Sequence, residues 1–105
     1  MAQFDVHRNV GPRRSEIPFI VVVQSRRLDD YGRRVVIPLV ARSGVAAVEP
    51  SLNPTFEIDG QVVVLHPLEI VSVAVDRLGQ RVGTLEADGD RIIAAIDIVI
   101  SRTWR

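Results

Sequence analysis

The sequence has no cysteine and no lysine. Without cysteine it can form no disulfide, no thiolate metal site and no cysteine nucleophile. Its 13 cationic side chains are all arginine, a residue that keeps its charge and grips carboxylates through a planar fork. GC-rich coding would leave the same bias. Neither sign of charge dominates: 13 Asp plus Glu balance the arginines. That argues against a general nucleic-acid or membrane-surface binder, which needs a basic excess. No apolar run approaches the roughly 20 residues of a membrane helix. The start, Met1 to Arg8, has no basic segment leading into an apolar one, so no signal peptide is expected and the expected location is cytoplasmic.

What is present is a chain of 105 residues, 47% hydrophobic and 25% charged, which fits one small globular domain spanning 1–105. So small a domain has a marginal core of its own, and dimerisation is a common way to bury more surface.

The patterning is mostly that of strands. Phe4 and Val6 alternate with Gln3, Asp5 and His7, as in a half-buried strand. Asn9 to Ser15, broken by Gly11-Pro12, reads as a loop. Ile17 to Gln24 and Arg33 to Val40 are β-branched strands. Pro18 is expected at the start of the first, and Pro38 at an edge or a bulge of the second. Ala41 to Ser51 is ambiguous between strand and loop. Leu52-Asn53-Pro54 reads as a turn. Asp59-Gly60 between Thr55–Ile58 and Gln61–Leu65 is a strong hairpin signal. Ile70 to Val75 and Arg81 to Leu85 complete the strands. The β-branched segment 91–101 suits a strand too. An acidic lead-in with Asp88 or Asp90 as cap, the Ala94-Ala95 pair, and Ile92, Ile96 and Ile100 four residues apart favour a helix. That helix is apolar nearly all round, which calls for cover from its own sheet on one side and a partner chain on the other.

The sequence offers no recognisable catalytic or metal constellation. His7 and His66 stand alone, without ligand spacing, and read as strand or surface residues. Asp29-Asp30 and Asp88/Asp90 fit turn and cap chemistry. No phosphate-loop, dinucleotide or nucleophile-elbow motif occurs. The pairs Arg13-Arg14, Arg26-Arg27 and Arg33-Arg34 suit a phosphate or a carboxylate-rich partner; a solvated rim is the alternative.

Several segments, in order, resemble the CcdB toxin family: Gln3-Phe4-Asp5-Val6; Val23-Gln24-Ser25 and, six residues on, Gly32-Arg33-Arg34-Val35-Val36-Ile37-Pro38-Leu39; then Leu52-Asn53-Pro54, Val71-Ser72-Val73, Leu78-Gly79 and Ile92-x-x-Ala95-Ile96-Asp97. The resemblance implies a β-rich (α+β) fold, a small antiparallel SH3-like barrel with one C-terminal α-helix. It implies a homodimer without cofactor or metal. It also implies a toxin of a type II toxin–antitoxin module, which poisons DNA gyrase through its A-subunit and is neutralised by a small antitoxin with a disordered C-terminal segment. DNA would be met only indirectly, through an antitoxin in transcription autoregulation. No catalysis is implied.

Carried over by position, the gyrase face comprises Asp97, Ile100, Ser101, Arg102 and Trp104 with Arg27 and Leu28. The family's helix-end aromatic pair, glycine and final aliphatic residue fall on Ile100, Ser101, Arg102 and Thr103, so the aromatics and the glycine are missing. Trp104 then either replaces them as anchor or caps a gap in the barrel. Arg13, Arg14, Arg33 and Arg34 are expected to bind the antitoxin, and Ile92, Ile96, Val99 and Ile100 to form the dimer interface. Two other readings stay open: an endoribonuclease of the MazF type on the same barrel, and a non-toxic antitoxin-binding regulator that has lost its target.

Overall fold

The computed structural model describes residues 1–102. Strands β1 (Asp5–Arg8), β2 (Phe19–Val22), β3 (Arg33–Ala41), β4 (Thr55–Ile58), β5 (Gln61–Leu65), β6 (Val71–Ala74) and β7 (Arg81–Thr84) precede helix α1 (Gly89–Ile100). The seven strands form one antiparallel sheet in the order β4-β5-β3-β2-β1-β7, with β6 pairing β3 beside β5. The sheet curls into a half-barrel with β4 and β7 as open edges. This is the β-rich α+β architecture expected from the sequence.

The long strand β3 organises the sheet. β2 pairs along one side of it, through Phe19↔Leu39 to Val22↔Val36. On the other side β6 takes Arg33 to Val36, and β5 takes Leu39 to Ala41. Pro38 is therefore in the middle of a central strand, not at an edge or a bulge. Its carbonyl accepts from His66 N at 3.1 Å, and the N–H and C=O of a strand residue point the same way. The missing N–H thus faces the junction between β5 and β6, where the ladder is already interrupted.

Asp59-Gly60 makes the β4–β5 hairpin, both with positive φ (54° and 78°), as a type I′ turn requires. β1 departs from the expected alternation: Asp5, Val6 and His7 are all buried. β1 is enclosed by β2 and β7, and its polar side chains find partners. Asp5 pairs with Arg81 at 3.1 Å, and His7 Nδ1 lies 2.9 Å from the Gly79 carbonyl.

The core joins Phe19, Val21, Ile37, Leu39, Val63 and Leu65 from the sheet to Leu85, Ile92 and Ala95. The helix starts two residues before the expected 91. Asp88 holds the cap position without a capping hydrogen bond; its carboxylate pairs with Arg91 at 3.0 Å instead. Ile92 and Ala95 are completely buried in the chain's own core, and Ile96 packs against it. The helix thus turns one apolar stripe inward and leaves Ile93, Ile98 and Ile100 exposed. Among the described residues no helix is long and apolar enough to cross a membrane.

Candidate functional site

Three surfaces carry the residues singled out in the sequence. The first is the end of α1. Ile100 is 69% exposed, and Asp97, Ser101 and Arg102 are exposed around it. Ser101 ends the helix with extended backbone (ψ 143°), so the chain leaves the helix axis there. Trp104 and Thr103 lie outside the described residues.

The second is the turn that follows β2. Ser25 Oγ accepts from Arg27 N, which starts a 3-10 turn over Arg26–Leu28. Gln24 Nε2 donates to the carbonyls of Leu28 and Arg33, both at 3.1 Å. Arg34, expected to bind a partner, is instead 5% exposed. Its guanidinium donates to the carbonyls of Tyr31 at 2.7 Å, Arg33 at 2.9 Å, Asp29 at 2.9 Å and Met1 at 3.3 Å. A side chain so engaged is unavailable to a partner; it holds the turn and the N-terminus together. The turn presents Arg27, Leu28 and, unforeseen, Tyr31 (67% exposed). Aromatic side chains are frequent anchors in interfaces, but a lone tyrosine in a polar stretch gives no periodic signal.

One chain does not bring these two surfaces together. Arg26 shares a polar pocket with Phe4 and Glu86, and a Cβ on Gly89 would meet the Phe4 ring. The turn is thus near the foot of the helix, which rises roughly 16 Å before reaching Ile100.

The third surface is a groove of about 660 Å³ on the sheet face opposite the core. Strand alternation puts Phe19, Ile37 and Leu39 on the core side and Ile20, Val36 and Pro38 on the other. Those three form the floor; the loop around Val10 and Pro12 and strand β6 form the walls. Arg13 and Arg33 reach the groove, and Arg77, not singled out in the sequence, joins them. Arg14 does not; it donates to the Gly11 carbonyl at 3.2 Å.

Among the described residues no group of three or more His, Cys, Asp or Glu is placed to hold a metal ion. Burial alone would raise the Asp5 carboxyl. The Ala2 N–H, the Arg81 guanidinium and the terminal ammonium outweigh it and hold Asp5 below the usual carboxylate range. This carboxylate is a structural anion between N-terminus and β7. His7 Nε2 and His66 Nδ1 are buried without a hydrogen-bond partner among the described residues.

The family model described as CcdB protein matches residues 3–101. The chain belongs to the CcdB family. A CcdB-family protein of this fold is also similar to a solved mycobacterial endoribonuclease in complex with its cognate antitoxin. That likeness has TM-score 0.73 and 14% identity, and covers 100% of this chain and 99% of the other. At that identity it speaks for the fold alone. No curated protein sequence matches the chain.

Proposed function

We propose that this CcdB-family chain is the toxin of a type II toxin–antitoxin pair, that it acts by docking on a protein target rather than by catalysis, and that the target is DNA gyrase. The observation that carries the reading is a family match over residues 3–101 on a chain whose helix ends in an exposed apolar tip at Ile100. Such a tip suits insertion into a partner, because a few buried side chains carry most of an interface's affinity. Asp97, Ile100, Ser101 and Arg102 surround the tip, and Trp104 supplies the aromatic anchor. A two-fold dimer would present two such tips. Ile93, Ile98 and Ile100, which the chain's own sheet leaves uncovered, are better placed for dimer contact than the buried Ile92. A small antitoxin with a disordered acidic segment would neutralise the toxin and bring it to DNA.

The test compares the native chain with Trp104→Ala and with deletion of residues 102–105. Both variants should fold and dimerise like the parent, yet lose growth arrest and trapping of gyrase-cleaved DNA. Trp104→Ala that lowers the melting temperature while leaving target binding intact would make Trp104 a structural cap. The likeness to an endoribonuclease favours a second reading, RNA cleavage. An RNA degradation assay run beside the gyrase assay separates the two, and inactivity in both points to a regulator without a target.

A further inference from the structure

We propose that Asp59-Gly60, at the tip of the β4–β5 hairpin, is a site of spontaneous aspartate isomerisation, and that Arg8 holds this reaction in check. Neither the toxin–antitoxin reading nor any partner is needed for it. The chemistry requires only the chain and water. The Gly60 backbone nitrogen attacks Cγ of Asp59, loses its proton and expels one carboxyl oxygen as water, which closes a cyclic imide. Water then reopens the ring at either carbonyl carbon. Attack at Cγ restores aspartate. Attack at the Asp59 backbone carbonyl carbon leaves the chain running through Cβ and Cγ, an isoaspartate of unchanged mass. Nothing is oxidised or reduced. Glycine favours the first step because no Cβ crowds its nitrogen and its backbone turns freely.

The sequence holds Asp-Gly twice, at 59–60 and 88–89, and the fold treats the two differently. Asp59 and Gly60 are both exposed and form the two-residue loop beyond the last ladder pair, Ile58↔Gln61. Asp59 has φ 54°, a left-handed conformation that costs an L-residue energy. Among the described residues the Gly60 N–H makes no backbone hydrogen bond. The rotation about the Asp59 Cα–C bond that the imide requires therefore moves only this short loop. Asp88-Gly89 lies where a 3-10 turn over Glu86–Asp88 runs into α1. Gly89 is buried against the Phe4 ring and is already helical, with φ −55° and ψ −40°. The same rotation there would unseat the first turn of the helix.

One contact restrains the exposed site. Arg8 Nη2 donates to Asp59 Oδ2 at 2.9 Å across 51 residues of sequence, and the Arg8 guanidinium lies over the Phe19 ring, 5.7 Å from its centre. This bond draws the carboxyl group toward β1, and swinging Cγ onto Gly60 N means giving it up. Both side chains of the pair are largely exposed, 45% and 60%, and such pairs contribute little. Arg8 thus slows the reaction without stopping it. Isomerisation in turn removes the contact: the extra backbone methylene breaks the turn and carries the carboxylate away from Arg8. β4, at the end of the sheet beside β5, is the element that loosens first.

Ageing of the full chain in warm neutral buffer tests this. An isoaspartate methyltransferase with labelled S-adenosylmethionine measures the isoaspartate formed. Peptide mapping assigns it, because an endoproteinase that cuts before aspartate does not cut before isoaspartate. Label should accumulate at 59 and stay near background at 88. Arg8→Gln should speed accumulation at 59 several-fold. Asp59→Asn keeps a residue suited to the turn and closes the same imide by expelling ammonia; it should react faster than the parent. Asp59→Gly also suits the turn but has no side-chain carbonyl, so it should abolish the label. The aged parent should melt below the fresh one, and aged Asp59→Gly should not. Absence of isoaspartate at 59, equal amounts at 59 and 88, or an Arg8→Gln rate equal to the parent's would each overturn the proposal. So would an Arg8→Gln chain in which label rises at 88 as much as at 59, since that is the mark of general unfolding and not of a local restraint.

Discussion

Arg34 shows how a single side chain can hold a surface in shape without belonging to it. Its guanidinium donates to carbonyls from Met1, Asp29, Tyr31 and Arg33, of which the Arg33 carbonyl also accepts from Gln24 Nε2. Arg34→Met keeps most of the volume and removes every donor. It should lower unfolding stability by about 2–4 kcal/mol, because four part-buried hydrogen bonds of roughly 1 kcal/mol each are lost together. Urea denaturation measures it, and a loss below about 0.5 kcal/mol, the usual spread for a surface substitution, would mean that water replaces the guanidinium. Asp5 makes the matching case for a carboxylate. Its pKa is lowered by the Ala2 N–H, Arg81 and the terminal ammonium despite burial. A group with a lowered folded pKa stabilises the fold above its unfolded value, near pH 4, and loses that contribution as pH falls through the folded value. Asp5→Asn should therefore be clearly less stable than the parent at pH 7, with the difference shrinking below pH 4. A difference that stays constant across this range would show that the hydrogen bonds, not the charge, matter.

Among the elements, β1 and its return strand β7 are joined by a close backbone approach at Gly79. A Cβ there would fall within contact distance of the Arg8 carbonyl and 2.9 Å from Val10 Cγ1. The obstacle is mainly backbone, which cannot swing aside like a long side chain. Gly79→Ala should cost about 1–3 kcal/mol, the usual penalty for forcing extra volume into a packed site, seen as a lower melting temperature. The same substitution would displace the carbonyl that meets His7 and the loop that carries Val10. Helix α1 divides its surface sharply. Ile92 and Ala95 belong to the core, and Ile93 and Ile98 face outward. The Ile93→Asp/Ile98→Asp double variant should melt near the parent temperature yet sediment as a monomer. Ile92→Asp should unfold the chain, since an unpaired buried charge is costly. If the double variant still sediments as a dimer, the helix is not the dimer contact.

For the molecule as a whole, the sequence determined whatever depends on neighbours along the chain. The Asp59-Gly60 hairpin follows from two positive-φ positions. The β-branched runs set most of the strands, and the spacing of Ile92 and Ile96 set the helix and its inward stripe. The ordered motifs from Gln3 to Asp97 also carried the family, which the match over residues 3–101 bears out. The tertiary structure decided what depends on distant partners. Asp5 is buried because Thr84, far along the chain, pairs with it in β7. Pro38 is tolerated in a central strand because β5 and β6 meet opposite it. Arg34 looked like Arg33 in the sequence, yet carbonyls from Met1, Asp29, Tyr31 and Arg33 enclose its guanidinium, while Arg33 reaches across β6 to Ser72. Arg77 joined the groove only when β6 came back beside β3. Local steric preferences act over a few residues and are legible one segment at a time. Burial and charge neighbourhood arise only when the sheet closes, and they separated a buried structural arginine, Arg34, from its exposed neighbour Arg33.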